Sequence, residues 1–279
     1  MTQNKIPVII TGVAGRMGKT LATLATRHSQ CILGGATEQA GSALIGQDVA
    51  TLTGSKSTGL SVQDDLRTAL PPHKKGVIID FTAPRATLNH LKIASLTKTP
   101  IVIGTTGFEK KGIEQIKQAS KKVPIVMAPN MSLGVNTLFV LTQLTAQILG
   151  DDYDIEVFEA HHKLKKDAPS GTAVKLAQIL AETTARSYPK DFCFERNGLI
   201  GERTRKEIGM QVLRGGDIVG EHTIYFCGMG ERIELTHRAT SRDTFALGAL
   251  KAAAWLARQK PGLYDMKDVL GLKTLKLKP

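Results

Sequence analysis

The feature that most constrains the fold is a set of short apolar runs in the N-terminal half that alternate with segments of helical spacing. The apolar runs are IPVIITG, CILGGATE, GVIIDFTAP, PIVIGTTGF and VPIVMAPN, and RMGKTLATLATRH, RATLNHLKIASLT and EKKGIEQIKQASKK carry apolar residues at helical intervals. Continuous apolar strands separated by helices of about ten residues are typical of a parallel sheet covered on both faces. The N-terminal half is therefore predicted to be α/β, with a doubly wound parallel sheet.

Polar and small residues follow several of these strands. They are Asp80, Thr82, Gly104–Thr106 and Ala128–Asn130. In open parallel sheets, ligands bind outside the carboxyl ends of the strands, beside the point where the strand order reverses. The grouping predicts a ligand cleft at that edge.

The first apolar run ends in a glycine-rich turn, GVAGRMG, with Gly12, Gly15 and Gly18 at three-residue spacing. In such a turn the backbone amides can meet a pyrophosphate, and the dipole of the following helix also favours an anion. Glu38 follows Gly18 by 20 residues, the offset expected for a carboxylate that binds the adenosine ribose. We therefore predict a Rossmann-type dinucleotide site, although a purely structural strand-to-helix turn has the same glycine spacing. Glu38 would repel a 2′-phosphate and so favours NADH, while Arg16 and Lys19 would offset part of that repulsion.

After residue 130 the pattern changes. SLGVNTLFVLTQLTAQILG and SGTAVKLAQILAETTA have helical spacing, and YDIEVFEAHH begins as an extended run. The stretch from Glu207 to Thr240 alternates apolar and polar residues between glycine-rich turns, which is typical of antiparallel strands. A last helix, RDTFALGALKAAAWLARQ, is expected to pack on the first domain. We predict a dinucleotide-binding domain of residues 1–130 plus 242–279. Residues 131–241 are predicted to form an α+β substrate-binding and oligomerisation domain with a mixed, largely antiparallel sheet.

Charge favours small anionic ligands over macromolecular partners. The 279-residue chain has a formal net charge of +12, but its basic residues are dispersed, with local clusters at 163–166 and 203–206. Neither a basic arm nor zinc-finger spacing is present, and with aromatic residues at 5% no RNA-binding aromatic motif is visible. We therefore expect neither a nucleic-acid nor a membrane partner.

Targeting and redox features favour the cytoplasm. The apolar run near the N-terminus is too short for a signal peptide, and we expect no run to approach the ~18 apolar residues that a membrane span requires. The three cysteines are far apart and form no Cys-x-x-Cys pair, which is typical of reduced thiols in a cytosolic protein.

The stretch EAHHKLKKDAPSGTA, residues 159–173, concentrates candidate site residues before an apolar helix. Ser170 is a plausible N-cap, and the amides of Gly171 and Thr172 would offer a carboxylate two hydrogen bonds together with the helix dipole. His161 and Lys165 are four residues apart and would share a face of either a strand or a helix.

Other interpretations of this stretch and of the remaining histidines stay open. His162 would point away from His161 in a regular strand, so it joins the site only if the chain bends. The histidine pair could also be a half-buried strand end. A metal site is disfavoured because the spacing of ligands is wrong. Lys163 and Lys166 fit a solvated rim, and His222 and His237 are expected to be structural.

The stretch also carries a family resemblance. It contains E-x-H-H-x-x-K-x-D-x-P-S-G-T-A, and the chain further contains GVAGRMG, DFTAP, GTTG, APNMSLGVN and GGDIVGEHTI. On these motifs, which extend over nearly the whole chain, the protein resembles the 4-hydroxy-tetrahydrodipicolinate reductase family, also called dihydrodipicolinate reductase. The resemblance implies NAD(P)H-dependent reduction of 4-hydroxy-tetrahydrodipicolinate to tetrahydrodipicolinate in diaminopimelate and lysine biosynthesis, usually by a homotetramer.

The resemblance also implies residue roles. It implies that His161 and Lys165 transfer the proton. It also implies that His162 and the amides of Gly171 and Thr172 bind the substrate carboxylates. The implied cofactor contacts are Gly12, Val13, Ala14, Gly15, Arg16 and Met17 at the pyrophosphate, Glu38 at the adenosine ribose, and Gly104, Thr105, Thr106, Ala128, Pro129, Asn130 and Met131 at the nicotinamide.

One position departs from several family members. Gln39 stands where they have an arginine that binds the 2′-phosphate, so the choice between NADH and NADPH stays open. Two rival functions predict different motifs. Another amino-acid-pathway dehydrogenase should lack the His-His-x-x-Lys-x-Asp-x-Pro-Ser-Gly-Thr run, and an NAD(H)-sensing DNA-binding regulator should have a helix-turn-helix or a basic stripe.

Overall fold

The computed structural model describes residues 5–54, 56–72 and 76–274. The chain forms two compact units. The first unit is Met1–Leu133 with Asp243–Pro279, and the second is Gly134–Arg242. The domain boundaries predicted from the sequence follow residues 130 and 241.

The described residues form strands in two sheets. In chain order the strands are β1 (Ile6–Thr11), β2 (Cys31–Thr37), β3 (Val77–Asp80), β4 (Ile101–Ile103), β5 (Pro124–Met127), β6 (Asp154–His161), β7 (Phe192–Cys193), β8 (Ile208–Arg214), β9 (Gly220–Cys227), β10 (Arg232–Ala239) and β11 (Gly262–Tyr264).

The helices follow the same numbering. They are α1 (Arg16–Arg27), α2 (Ala50–Thr53), α3 (Leu66–Ala69), α4 (Pro84–Thr97), α5 (Lys110–Ser120), α6 (Leu133–Leu149), α7 (Gly171–Thr183), α8 (Asp243–Leu256) and α9 (Met266–Val269).

The sheet of the first unit is parallel throughout, in the order β11-β5-β4-β3-β1-β2. This confirms the predicted doubly wound sheet. Strand β11, which pairs with β5 at the edge of the sheet, was not predicted from the sequence. Because β2 lies on one side of β1 and β3 on the other, the strand order reverses at β1. The carboxyl ends of β1 and β3 therefore flank the expected ligand crevice.

Strand β1 shows why its sequence is continuously apolar. Val8 and Ile10 lie in the core that α1 and α8 cover, whereas Ile9 lies in the core on the opposite face, with residues of α4 and α5. All three side chains are fully buried. Burial of a side chain of this size contributes about 1.5–3 kcal/mol, so a polar residue at any of these positions would oppose folding.

The sheet of the second unit is mixed, as predicted, in the order β10-β9-β6-β8-β7. Strand β6 is antiparallel to β9 but parallel to β8. The expectation that the run from Glu207 to Thr240 is antiparallel is therefore wrong for its first strand. The reason is the connection: α7 lies between β6 and β8 in the chain, and a helical crossover brings the next strand back in the same direction.

One face of this second sheet is apolar at one end and polar at the other. Ile155 and Val157 of β6 and Ile224 and Phe226 of β9 are buried in a core shared with α6 and α7. Because side chains alternate along a strand, the same face continues into the end of β6, at Glu159 and His161.

Helix α6 corrects one prediction. The segment Leu133–Asp152 is long and apolar enough, by length and composition alone, to cross a membrane, although the sequence analysis expected no such run. In the second unit it supplies Val135, Leu138, Phe139 and Ala146 to the hydrophobic core. Those contacts account for its apolar composition.

Candidate active site

The glycine-rich turn of the first unit requires its glycines. Gly12 has a φ of +63°, and a Cβ there would lie 2.8 Å from the Cγ2 of Thr82. A Cβ on Gly18 would overlap the carbonyl oxygen of Gly12. The turn packs closely enough that side chains at these positions would displace it.

Glu38 is bound to this turn. Its Oε2 accepts a hydrogen bond from the Ala14 amide at 2.8 Å, and its Oε1 accepts one from the Gln39 amide at 2.9 Å. The carboxylate therefore holds the turn and faces it at the end of β2. A ribose is its predicted partner, and each oxygen keeps a second lone pair for such a ligand.

A cavity of about 850 Å³ opens at the carboxyl ends of β1, β2 and β3, beside the switch point. Its size falls in the range of small-molecule and cofactor sites. Its lining is Gly12, Thr37, Glu38, Gln39, Ala40, Asp64, Asp65, Leu66, Thr82, Ala83, Ala86, Asn89, His90 and Ile93.

Of the predicted cofactor residues, Gly12 and Glu38 line this cavity, and the others do not. Val13 is buried, Arg16 is exposed at the start of α1, and Met17 packs on the core. The segments 104–106 and 128–131 follow β4 and β5, farther along the same edge of the sheet. Their contact with a nicotinamide stays a prediction.

A buried carboxylate organises the loops of this edge. Asp80 is fully buried at the end of β3, and its Oδ2 lies 2.6 Å from the Nδ1 of His90. Its Oδ1 accepts hydrogen bonds from the hydroxyls of Thr82, Thr87 and Thr105, at 2.7, 2.9 and 3.1 Å. Burial alone would raise the pKa of Asp80, but the His90 and Thr82 hydrogen bonds lower it. Asp80 thereby ties the segment after β4, which contains Thr105, to the cavity residues Thr82 and His90.

In the second unit, Glu159 is the centre of the polar end of the sheet. It is fully buried. Its Oε2 lies 2.5 Å from the Nδ1 of His161, and its Oε1 accepts the Ser170 amide at 2.9 Å. Arg214 donates to both oxygens, at 2.9 and 2.8 Å. Burial would raise the pKa of Glu159, but the His161, Arg214 and Ser170 hydrogen bonds lower it to about 2.

His222 packs against this group. Its ring centroid is 5.3 Å from that of His161, in an edge-on arrangement, and its Nε2 lies 3.2 Å from the Ser170 Oγ. Burial lowers the pKa of His222 to about 3, and the positive charges of His161, His237 and Lys165 act in the same direction. His222 is therefore a buried, neutral neighbour of His161.

Residues 162–170 form a loop, which corrects the reasoning for Lys165. Strand β6 ends at His161, so no regular strand or helix places Lys165 on the face of His161. The Lys165 amide instead bonds to the His162 carbonyl at 3.1 Å. The Lys165 Nζ lies 2.9 Å from Asp167 Oδ2. His162 is half-buried, and its Nδ1 has no hydrogen-bond partner among the residues that the structure describes.

Helix α7 begins as its sequence predicts. Ser170 is the N-cap, with its Oγ accepting the Ala173 amide at 3.2 Å, and Gly171 and Thr172 form the first turn. Ser170 itself is fixed by Glu159 and lies beside His222. The predicted carboxylate-binding turn and the predicted proton-transfer histidine are thus parts of one hydrogen-bond network.

Three residues of the second-unit network were missed by the sequence analysis as functional candidates: Glu159, Arg214 and His222. Glu159 had a usable signal, because it precedes His161 by two residues in an extended run and therefore shares its face. Arg214 and His222 had none, since their proximity depends on the register of β8 and β9 against β6.

Within residues 5–54, 56–72 and 76–274, no group of three or more His, Cys, Asp or Glu residues is arranged to hold a metal ion. The histidines at the end of β6 and β9 contact a carboxylate, a serine and each other instead.

Two family models together match most of the chain. The family model described as "Dihydrodipicolinate reductase, N-terminus" matches residues 6–131, and the one described as "Dihydrodipicolinate reductase, C-terminus" matches residues 134–270.

Several full-length relatives match as well. A 4-hydroxy-tetrahydrodipicolinate reductase of Anaeromyxobacter dehalogenans is 50% identical over 95% of this chain and 98% of its own length. One of Syntrophus aciditrophicus is 49% identical over 96% of this chain and 100% of its own. The solved structure of dipicolinate-bound dihydrodipicolinate reductase from Paenisporosarcina sp. TG-14 is 25% identical, with a TM-score of 0.72 over 94% of this chain and 97% of that one. The motifs predicted this family, and the chain belongs to it: it is a member of the dihydrodipicolinate reductase family.

Proposed function

We propose that the protein reduces 4-hydroxy-tetrahydrodipicolinate to tetrahydrodipicolinate with NADH or NADPH, as a step of diaminopimelate and lysine biosynthesis in the cytoplasm. The observation that carries the proposal is the network of the second unit, in which one buried carboxylate binds both His161 and the N-cap of α7. The names of relatives 50% and 49% identical to the chain support the same activity.

The first unit fits a nicotinamide dinucleotide. Gly12 leaves room between the turn and Thr82 that a Cβ would fill, and the cavity beside it is about 850 Å³. The amides of the turn and the N-terminus of α1 would hold the pyrophosphate, and Glu38 would accept the ribose hydroxyls. When bound, the nicotinamide supplies a hydride to C4 of the substrate ring.

The second unit would supply the proton. Reduction with loss of the C4 hydroxyl as water consumes one proton along with the hydride, so a proton donor must be close to the substrate. His161 turns its Nδ1 toward Glu159, which leaves Nε2 to exchange the proton. Lys165 is proposed to share the transfer of this one proton with His161, and its ammonium lies 2.9 Å from Asp167 Oδ2.

The substrate carries two carboxylates, and the proposed partners suit them. Gly171 and Thr172 lie at the positive end of a 13-residue helix, where amides and dipole favour an anion. His162 offers a ring nitrogen next to His161. The formal charge of +12 favours approach of the anionic substrate and cofactor.

Two finer features belong to the same proposal. Glu38 would disfavour a 2′-phosphate, and Gln39 brings no cation to bind one, so we propose that NADH is used at least as well as NADPH. We also propose a homotetramer, assembled through the sheet of the second unit.

The direct test is oxidation of NADH and NADPH with the product of the upstream synthase, generated in the assay, as substrate. Oxidation should require that substrate, and dipicolinate, a planar analogue with the same two carboxylates, should compete with it. If neither cofactor is oxidised while the chain is folded and binds NADH, the substrate assignment is wrong.

A further inference from the structure

Glu159 is a buried charge at the end of β6, beside the predicted site residue His161 and the helix cap Ser170. It is fully buried, and its two oxygens accept four hydrogen bonds, from His161, Ser170 and twice from Arg214. A buried carboxylate is costly unless it is paired and hydrogen-bonded. The two-pronged contact of Arg214 meets that need and keeps the group ionised.

An ionised carboxylate can only accept hydrogen bonds. The His161 Nδ1 that lies 2.5 Å from Glu159 must therefore carry a proton. In the neutral imidazole this leaves Nε2 without one, ready to take up and deliver the proton of the reaction. The identity of the working nitrogen is thus set by Glu159, not by His161 itself.

The space at the other side of the ring agrees with this assignment. On strand β9, a Cβ added to Gly220 would lie 3.0 Å from the His161 Nε2. This distance is shorter than an ordinary van der Waals contact of a Cβ atom, so an alanine at position 220 would crowd the His161 ring. A glycine leaves the working nitrogen uncovered.

The same carboxylate fixes the start of α7. Glu159 Oε1 holds the Ser170 amide, while the Ser170 side chain caps the helix and lies against His222. Displacing Glu159 would therefore move the helix N-terminus and His161 together.

We propose that Glu159 is the positioning residue of the reaction: it selects Nε2 of His161 as the proton-exchanging atom and holds the N-terminus of α7 at a fixed offset from that atom. Proton delivery and substrate-carboxylate binding then share one anchor, with Arg214 as its counter-charge. The inference rests on the function proposed above for His161 and α7.

A second carboxylate on the same strand provides a matched control. Glu156 lies on the other face of β6 and is bound at both oxygens by Arg196, at 2.8 and 2.7 Å. Histidine is absent from the hydrogen bonds described for Glu156 in this part of the chain. Arg203 also donates to Glu156, at 3.3 Å. Glu156→Gln therefore weakens at least as much carboxylate–arginine pairing as Glu159→Gln does, but only Glu159→Gln removes an anchor of His161.

The experiment compares these two variants with the wild type in turnover, NADH dissociation constant, unfolding midpoint and the ¹⁵N imidazole resonances of His161. Glu159→Gln should lower kcat by ~10²–10⁴, the usual contribution of a correctly positioned acid–base group. Its NADH Kd should be unchanged, because no cofactor residue is altered. Glu156→Gln should keep kcat near the wild-type value.

The resonances carry the decisive readout, at a pH where the imidazole is neutral. The wild type should show the Nδ1–H tautomer, and Glu159→Gln should lose it, since a glutamine amide can donate as well as accept. An Nε2–H tautomer in the wild type overturns the proposal even if Glu159→Gln does not fold. So does a Glu159→Gln variant whose kcat falls no further than that of Glu156→Gln. If the wild type itself fails to reduce the substrate, the proposed function fails, while the tautomer still decides the role of Glu159.

Discussion

Among the residues that the structure describes, each unit buries one carboxylate at the end of a strand, and the two are held in different ways. Asp80 and Glu159 are both fully buried, and each contacts the Nδ1 of a histidine, at 2.6 and 2.5 Å. Around Asp80 the remaining donors are threonine hydroxyls and a backbone amide, whereas Glu159 has Arg214. In the described part of the chain, no lysine or arginine pairs with Asp80.

The difference indicates what each carboxylate does. Several neutral donors from separate loops suit a carboxylate that shapes a binding edge, because each bond fixes one loop. A fixed guanidinium suits a carboxylate whose charge must persist while its histidine gains and loses a proton. We therefore expect charge changes around Glu159 to affect turnover, and changes in the first unit to affect cofactor binding and stability.

The largest expected effect is on turnover, from Lys165→Ala. Loss of a positioned proton donor lowers turnover by ~10²–10⁴. NADH affinity should be almost unchanged, because Lys165 belongs to the second unit. Steady-state kinetics and NADH titration of the same preparation measure both quantities.

The control for this change is Lys163→Ala, an exposed lysine of the same loop. It should turn over at close to the wild-type rate. A Lys165→Ala variant that loses NADH binding as severely as turnover would mean that the lysine serves the cofactor or the fold, and the division of labour between the units would be wrong.

The next effect concerns Glu38. Its substitution tests whether this carboxylate binds the adenosine ribose or only stabilises the glycine-rich turn. Glu38→Gln removes a charged acceptor, at a cost of ~1.5–3 kcal/mol. This corresponds to about a ten- to hundredfold loss of NADH affinity. NADPH affinity should stay the same or improve, because the repulsion of its 2′-phosphate is relieved.

Dissociation constants for both cofactors, at one fixed salt concentration, distinguish these outcomes. The Ala14 and Gln39 amides already bind this carboxylate, so a pure loop anchor is a real alternative. Equal losses for NADH and NADPH would favour that alternative.

Much of the first unit was predictable because its signals are local. Apolar strands, a glycine turn and the offset of Glu38 each occupy a few consecutive residues, and the sheet follows from their alternation. The parallel pairing of β8 with β6 could not be predicted in the same way. An alternating apolar pattern indicates a strand, but it does not indicate which strand is its neighbour or in which direction the two run. His222 illustrates the limit: its position beside His161 depends on the register of β9 against β6, which the sequence does not contain.

A smaller effect, on stability, should follow from Asp80→Asn. The variant keeps the shape of the side chain, but its amide presents a donor to His90 and to the threonine hydroxyls that now donate to Asp80. Leaving such buried groups unsatisfied costs about 1–3 kcal/mol each. Chemical denaturation should show a loss of this order, and a loss no greater than that of Asp65→Asn, a partly exposed helix cap, would contradict the anchoring role.

The last prediction has the smallest expected effect for each pH unit. It concerns the pH dependence of the free energy of unfolding that His222 causes. Burial, aided by the charges of His161, His237 and Lys165 and opposed by Glu159, lowers the pKa of His222 to about 3. In the unfolded chain a histidine titrates near 6.5. The unfolded state therefore takes up a proton below about pH 6.5 that the folded state does not, so the stabilisation is complete above that pH and is lost as the pH falls toward 3.

The slope contributed by one such group is ~1.4 kcal/mol per pH unit. Denaturant titrations between about pH 7 and 5, above the range where most carboxylates titrate, isolate it from the acidic residues. His222→Gln, whose amide can still meet the Ser170 hydroxyl, should flatten the slope by about one proton. His237, whose pKa is also lowered by burial, keeps a residual slope in that variant. An unchanged slope would mean that His222 accepts a proton in the folded state, and it would then be a charged partner of His161 rather than a neutral one.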